Sequence, residues 1–287
     1  MKDRHATWSS TVKTDALDVL RPLVPLAAVT RDWAWAGSTG RGVKVAVIDS
    51  GIDNAHPEIA GSVKGYVAID VGRDGLTYDT APHADAYGHG TACAGIIRRI
   101  APDCELYSIK ILGPDLTGRG LAFAGALHWA IENGMQVCNL SLGTTVSEFS
   151  SIIRDLSHLA LCRKIMLVAA AHNSAVPSCP SMFASTISVA AFTGDAHGRE
   201  GTASASASAS DAYTYTPRST AEFGAPGYNV QVPWRDGASI TASGNSYAAP
   251  HITGIVTKIL ASHPDLTVLH MKALLRALAT NVTGAAA

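Results

Sequence analysis

The run VKVAVID, residues 43–49, is apolar except for Lys44 and its last residue. Four similar runs follow it along the chain: ELYSIKIL (105–112), MQVCNLSL (135–142), KIMLVAAA (164–171) and ISVAAF (187–192). Such runs indicate strands that are covered on both faces. The segments between them carry apolar residues at helical spacing: GTACAGIIRRI (90–100), LAFAGALHWAIENG (121–134) and SEFSSIIRDLSHLALC (147–162). This alternation predicts an α/β fold with three layers, a doubly wound and mostly parallel sheet flanked by helices.

The composition is that of a compact globular chain, with 287 residues, 47% of them hydrophobic and 16% charged. We expect residues 1–287 to form one domain. The low-complexity stretch at about 194–220 has little to bury and predicts a flexible surface loop. The net charge is −1 and no block of Lys or Arg occurs, which excludes a nucleic-acid partner. No run approaches the roughly 18 apolar residues of a membrane span, so we expect no membrane partner.

The five cysteines indicate a reducing compartment. Their number is odd and they lack C-x-x-C spacing, which argues against a disulfide framework and against a zinc ribbon. The amino terminus has no apolar stretch of the kind found in secretion signals. We therefore expect a cytoplasmic protein.

Four polar residues stand where predicted elements begin or end. Asp49 closes the first strand, His89 opens a helix, and Asn173 follows the strand KIMLVAAA. Ser246 lies in the turn SGNS before a C-terminal helix, in whose first turn we place Pro250. Taken singly, each is an ordinary turn or capping residue. Parallel strands bring such residues to one edge of the sheet, where the carboxylate, imidazole and hydroxyl would form a nucleophile activated by a general base. The Asn173 side-chain amide and the Ser246 N–H could hold an oxyanion beside it.

These residues lie in motifs that resemble, in order and spacing, those of the subtilisin-like serine peptidases (the subtilases, peptidase family S8). The motifs are VKVAVIDSGID, GHGTACAG, NLSLG, VAAAHNS and GNSYAAPH. The resemblance implies a subtilisin-like fold and a serine endopeptidase that hydrolyses peptide bonds through an acyl-enzyme. It assigns Asp49, His89 and Ser246 to the catalytic triad, and Asn173 with the Ser246 N–H to the oxyanion hole.

The resemblance also implies where a peptide or protein substrate binds. Two segments, Leu116, Thr117 and Gly118 and then Ser141, Leu142 and Gly143, would present their backbone to an extended chain. Ala171 and His172 would line the pocket for the residue before the scissile bond. Relatives commonly have glycine where this chain has His172, so this imidazole either narrows the pocket or points to solvent. The usual GTS reads Gly244-Asn245-Ser246 here, and we expect the nucleophile to survive that change.

The sequence predicts no metal and no cofactor. The segment after His89 is shorter than the calcium-binding loop of secreted relatives, and no Asp- and Asn-rich loop replaces it. A zinc site built from His56, His83 and His89 is the metal alternative, but its spacing matches no usual zinc pattern. Because 42 residues precede the first strand, we expect that folding needs no prodomain or uses one supplied separately. An inhibitor and a precursor peptide are the other candidate partners.

Two other functions fit parts of the sequence. A degenerate subtilase fold could bind a peptide and hydrolyse it slowly or not at all. His172, Asn245 and the stretch 194–220 leave this alternative open. A nucleotide-binding α/β domain would need a Gly-rich phosphate loop after the first strand, and SGIDNAHP supplies none.

Cys93 lies four residues after His89 and shares its helical face. It is either a thiol open to reagents or a small buried core residue.

Overall fold

A nine-stranded sheet forms the middle layer of the protein. The computed structural model describes residues 29–174, 176–192, 211–217, 219 and 221–283. In these ranges the strands are β1 (Lys44–Asp49), β2 (Val63–Gly72), β3 (Gly75–Asp79), β4 (Glu105–Lys110), β5 (Val137–Leu140), β6 (Met166–Ala170), β7 (Ile187–Phe192), β8 (Thr214–Tyr215) and β9 (Phe223–Pro226). Their order across the sheet is β3-β2-β4-β1-β5-β6-β7-β9-β8. Neighbouring strands run parallel except at the two edges, where β3 and β8 are antiparallel to their partners.

The strand β1 lies at the centre of the sheet, between β4 and β5. Its side chains alternate between two cores, with Val45 and Val47 in one and Ala46 and Ile48 in the other. All four are almost completely buried, and burial of each Val or Ile stabilises the fold by roughly 1.5–3 kcal/mol. This two-sided burial explains why the run is apolar without alternation. The predicted three-layer α/β fold is confirmed.

Helices cover both faces of the sheet. They are α1 (Arg31–Trp35), α2 (His89–Ile100), α3 (Gly120–Glu132), α4 (Ser150–Cys162), α5 (Asn245–Ser262), α6 (Val268–Leu278) and α7 (Thr280–Thr283), with a 3-10 turn at Ser147–Phe149. Apolar residues of α2, α5 and α6 fill one core, and those of α3 and α4 fill the other. No helix in the described ranges is both long enough and apolar enough to cross a bilayer.

The helix α5 places Pro250 differently from the sequence prediction. The helix begins at Asn245, so Pro250 is its sixth residue and stands in the second turn, not the first. A proline there has no N–H for the carbonyl four residues earlier, which is the carbonyl of Ser246. The hydroxyl of Ser141 donates to that carbonyl instead, at 2.7 Å. The helix therefore tolerates the proline because a side chain from the end of β5 replaces the missing donor.

A small antiparallel hairpin, β10 (Val230–Pro233) and β11 (Ser239–Ala242), packs on the outside of α2. A side-chain carbon on Gly88 would collide with the Trp234 indole, and one on Gly95 would collide with Pro233. Gly88 also has φ +120, a backbone conformation that favours glycine. The hairpin therefore fixes the position of the start of α2, where His89 lies.

The predicted loop at about 194–220 needs a correction at its C-terminal end. Residues 194–210 lie outside the described residues. However, Tyr213 is fully buried, its hydroxyl donates to the Leu275 carbonyl, and β8 pairs with β9. The two tyrosines of DAYTYT supply the apolar surface that the surrounding Ser and Ala residues lack, so this end belongs to the sheet. The prediction of one domain over residues 1–287 extends beyond the described residues and stays a prediction.

Candidate active site

The structure brings Asp49 and His89 together at the carboxyl edge of the sheet. Asp49 is the last residue of β1 and is 0% exposed, whereas His89 is the first residue of α2 and is 6% exposed. The Nδ1 atom of His89 lies 2.9 Å from each oxygen of the Asp49 carboxylate. Because a carboxylate only accepts hydrogen bonds, Nδ1 carries the proton. The other ring nitrogen, Nε2, is then free to accept one.

The pairing also sets the charge preference of His89. Burial opposes a charged imidazole, but the adjacent Asp49 carboxylate outweighs this, and the pKa of His89 is raised well above its usual value. Such an imidazole is a stronger base than free histidine. It accepts a proton readily once it is neutral.

A buried carboxylate that the sequence analysis missed, Asp85, joins the two elements that carry this pair. It accepts five hydrogen bonds, from the Ser50 and Thr91 hydroxyls and from the amides of Tyr87, Gly88 and Thr91. Three of these donors belong to the first turn of α2 or the residue before it, and Ser50 directly follows Asp49. Asp85 thus caps the helix and ties it to the end of β1. The signal in the sequence was an acidic residue four positions before His89 in DAYGH.

Ser246 is the second residue of α5 and is partly exposed. Its carbonyl accepts from the Ser141 hydroxyl and lies 3.7 Å from the Cys93 sulfur. Ser141 is in turn 3.0 Å from the Asn139 side-chain amide, which donates to it. The ring of the next residue, Tyr247, lies 5.4 Å from that of His89. Contacts from β5 and α2 therefore fix the backbone that carries the Ser246 hydroxyl.

Asn173 is held against the start of α5. Its Oδ1 accepts a hydrogen bond from the backbone N–H of Asn245 at 3.1 Å. The NH2 group of the same side chain is therefore left for another acceptor. Ser246 Oγ and Asn173 Oδ1 lie 3.3 and 3.8 Å from the place that a side-chain carbon on Gly244 would occupy. The Ser246 hydroxyl and the Oδ1 of Asn173 thus both lie close to Gly244.

Asn245 has a bracing role that the sequence analysis did not anticipate. Its side-chain NH2 group donates to the backbone carbonyls of Ala171 and His172, at 3.1 and 3.3 Å. Its Oδ1 accepts from the Ala191 amide at 2.8 Å. Asn245 therefore joins the start of α5 to the segments after β6 and in β7, and holds the loop that carries Asn173.

Two adjoining clefts contain the predicted substrate-binding residues. A cleft of about 340 Å³ is lined by Ser141, Leu142, Gly143, Ala170, Ala171, His172, Asn173, Ser174, Ser178 and Ser246. A second, of about 300 Å³, is lined by Leu116, Thr117 and Gly118 and shares Leu142 and Gly143 with the first. These segments follow the carboxyl ends of β4, β5 and β6, which lie close together in the sheet in the order β4-β1-β5-β6. The sheet order therefore brings together residues that are far apart in sequence.

His172 lies at the rim of the first cleft, where it is exposed. Its Nδ1 accepts from the Ser174 amide at 3.1 Å. This hydrogen bond holds the imidazole over the turn and keeps it beside the cleft.

The histidines of the zinc alternative do not converge. His56 contacts the Ala238 carbonyl through Nε2 and accepts from the Glu58 amide through Nδ1. The Nε2 of His83 lies 2.9 Å from the Ser108 hydroxyl. In the described part of the chain, the cluster of potential ligands that does converge consists of Asp49, His89 and Cys93.

Comparisons with known proteins agree with the fold and the motifs. A family model described as "Subtilase family" matches residues 40–287. The subtilisin of Bacillus pumilus is 32% identical over 259 residues, covering 85% of this chain and 86% of that protein. Subtilisin E of Bacillus subtilis (strain 168) is 31% identical over 259 residues, covering 85% of this chain and 62% of its own length. The structure of Sphericase matches with a TM-score of 0.67 at 26% identity, covering 83% of each chain.

The chain therefore belongs to the subtilase family, the subtilisin-like serine endopeptidases. The resemblance stated from the motifs is confirmed. Nothing in the comparisons supports a peptide-binding module without turnover.

Proposed function

We propose that the protein cleaves peptide bonds by acyl transfer to Ser246. Asp49 holds His89 in the tautomer whose Nε2 accepts the Ser246 proton, and the hydroxyl oxygen attacks the scissile carbonyl. The NH2 group of Asn173 and the Ser246 N–H hold the oxyanion that forms. His89 then returns the proton to the leaving amine, and water releases the acyl group by the same steps.

The observation that carries this proposal is the buried Asp49–His89 pair at 2.9 Å. Burial of a carboxylate is costly unless it is paired, and the pair stands at the sheet edge that also carries Ser246 and Asn173. The partly exposed Ser246 lines the cleft of about 340 Å³, so a substrate carbonyl can reach it. Family membership supports the same chemistry.

The proposed substrate is an extended polypeptide that lies along the two clefts. The substrate would add as an extended strand beside the backbone of Leu116–Gly118 and Ser141–Gly143. Main-chain hydrogen bonds would then give affinity for the substrate with little dependence on its side chains. Leu116, Phe123, Leu142, Val146 and Phe149 line the cleft of about 300 Å³, and favour an apolar substrate residue there. Ala171 and His172 border the other cleft, where the imidazole at the rim would limit the size of the residue before the scissile bond.

An activity-based probe tests the mechanism directly. A fluorophosphonate should label Ser246 in the wild type, as identified by peptide mass spectrometry, and labelling should disappear in Ser246→Ala and in His89→Ala. Ser243→Ala serves as the matched control, because Ser243 is a nearby exposed serine outside the proposed triad. Equal labelling of the wild type and His89→Ala would show that the imidazole does not activate the hydroxyl.

We also propose that the enzyme works in the cytoplasm. All five cysteines are free, at positions 93, 104, 138, 162 and 179, and free thiols persist where the compartment is reducing. Immunoblotting of fractionated source cells tests this, and recovery outside the cytoplasmic fraction would contradict it. A separate prodomain, an inhibitor and a precursor peptide stay predictions, to be sought by co-purification.

A further inference from the structure

The cleft of about 340 Å³ is more polar than the cleft beside it. Among the described residues, its lining holds serine hydroxyls and the His172 imidazole, and no Asp, Glu, Lys or Arg side chain. Ser246 and Asn173 also line it, and the proposed function places these two at the reacting carbonyl. The side chain of the substrate residue before the scissile bond therefore enters a polar cleft whose described lining includes no carboxylate.

The His172 imidazole offers a hydrogen-bond donor at this cleft. Its Nδ1 accepts from the Ser174 backbone N–H at 3.1 Å, so in the neutral ring the proton lies on Nε2. In the described part of the chain, neither this Nε2 nor the hydroxyl of Ser174 has a hydrogen-bond partner. Both residues line the cleft. Two donors are therefore available to a substrate side chain that can accept.

Two other serine hydroxyls of the cleft are already used within the protein. Ser141 donates to the Ser246 carbonyl at 2.7 Å, and the hydroxyls of Ser178 and Ser181 lie 3.1 Å apart and share a hydrogen bond. The start of α5 adds a positive potential, because Ser246 is the second residue of this 18-residue helix and a helix N-terminus carries about half a positive charge. The cleft thus favours a negatively charged acceptor.

We propose that this cleft selects substrates with glutamate or aspartate before the scissile bond, and that His172 is the specificity-determining residue. This selectivity rests on the proposed function, which places that substrate residue here. Its carboxylate accepts from Nε2 of His172 and from the Ser174 hydroxyl. A glutamine accepts through a neutral oxygen and is held more weakly. A lysine or arginine has only donors to present to these donors, and an apolar side chain leaves them without an acceptor.

Peptide p-nitroanilides that differ only in the residue before the scissile bond test the selectivity. The wild type should hydrolyse the glutamyl substrate with kcat/KM at least about fivefold above that of the glutaminyl substrate, which has the same shape, and the lysyl substrate should be slower still. Since each ratio compares two substrates on one protein, effects of a substitution on folding or on the proposed catalytic residues cancel.

Substitutions at position 172 separate a hydrogen-bond role from a role of bulk. His172→Phe keeps a ring but has no donor, and it should lose most of the preference for glutamate over glutamine. His172→Gln restores an N–H donor and should recover part of it. His158→Phe is the matched control, because His158 is an exposed histidine of α4 that lines neither cleft, and it should keep the wild-type ratio.

Binding measurements distinguish failure of this selectivity from failure of the proposed function. Dye-labelled glutamyl and glutaminyl peptides should bind Ser246→Ala with a similar preference for glutamate in fluorescence anisotropy, and Ser246→Ala/His172→Phe should lose it. Hydrolysis by the wild type with a ratio near one, or a ratio that His172→Phe leaves unchanged, would overturn the selectivity and keep the peptidase. A wild type that hydrolyses neither substrate, with the His172-dependent preference still present in Ser246→Ala, would refute the peptidase mechanism and keep the selective cleft.

Discussion

The buried His251 in α5 should make the protein less stable as the pH falls below neutrality. His251 is 1% exposed, and Nε2 of its ring has no hydrogen-bond partner. Burial, with a smaller contribution from the positive Arg99, lowers its pKa to about 4, although the Tyr247 carbonyl partly opposes this. The folded pKa is depressed below the unfolded value of about 6.5. The unfolded chain therefore binds more protons between these values, and stability is lost as pH decreases.

The magnitude follows from the two pKa values. With about 6.5 unfolded and about 4 folded, the free energy of unfolding should fall by about 2 kcal/mol between pH 7 and pH 5 because of His251. His89 acts in the opposite direction, since its raised pKa favours the folded protein at low pH. The contribution of His251 is therefore obtained by difference, from urea unfolding of Ser246→Ala and Ser246→Ala/His251→Leu at both pH values. The Ser246→Ala background removes the proposed nucleophile and so should prevent self-cleavage.

The wild-type His251 protein should lose about 2 kcal/mol more than the His251→Leu protein over this pH interval. Leucine is similar in volume and has no titratable group, so packing changes affect both pH values alike. If the two proteins lose the same stability, His251 is not held neutral in the folded state.

Three substitutions test the active site. Asp49→Asn should lower kcat by about 10⁴-fold and move the acid limb of the pH–rate profile to lower pH, since the carboxylate that raises the His89 pKa is gone; an unmoved limb would contradict this. Asn173→Ala should lower kcat by about 10²–10³-fold with KM nearly constant, and a change confined to KM in steady-state assays would argue against an oxyanion role. Asp85→Ala leaves several buried donors without a partner, so it should cost about 1–3 kcal/mol in urea unfolding and lower kcat more than it raises KM. Unchanged stability and kcat would remove its proposed positioning role.

The sequence was sufficient to predict the strands that are buried on both faces. The five apolar runs all became strands of the central sheet, because continuous apolar residues distinguish such strands from exposed ones. The strands β2, β3 and β8–β11 were missed. In β2 the burial pattern is mixed, and Gly65 and Gly72 interrupt it. Those strands owe their existence to pairing with neighbours, which a local pattern does not reveal.

The candidate site was predictable in its residue types but not in its supporting contacts. Asp49, His89, Asn173 and Ser246 stand at element ends, where polar residues in apolar surroundings are conspicuous. The roles of Asp85 and Asn245 depend on hydrogen bonds between segments distant in sequence. Pro250 shows the same limit, because the Ser141 hydroxyl that compensates for it comes from the segment that follows β5. Spacing rules along one helix cannot identify such a donor.

The position of α5 in the chain has a consequence for synthesis of the protein. Asp49 and His89 emerge from the ribosome early, whereas Ser246 follows Asp49 by about 200 residues. At about 5–20 residues per second, roughly 10–40 seconds separate them. Moreover, α5 must pack against α2 and against the strands β5, β6 and β7 before its first turn is in place. If Ser246 is the nucleophile, as proposed, a growing chain cannot cleave neighbouring proteins until translation of α5 is complete.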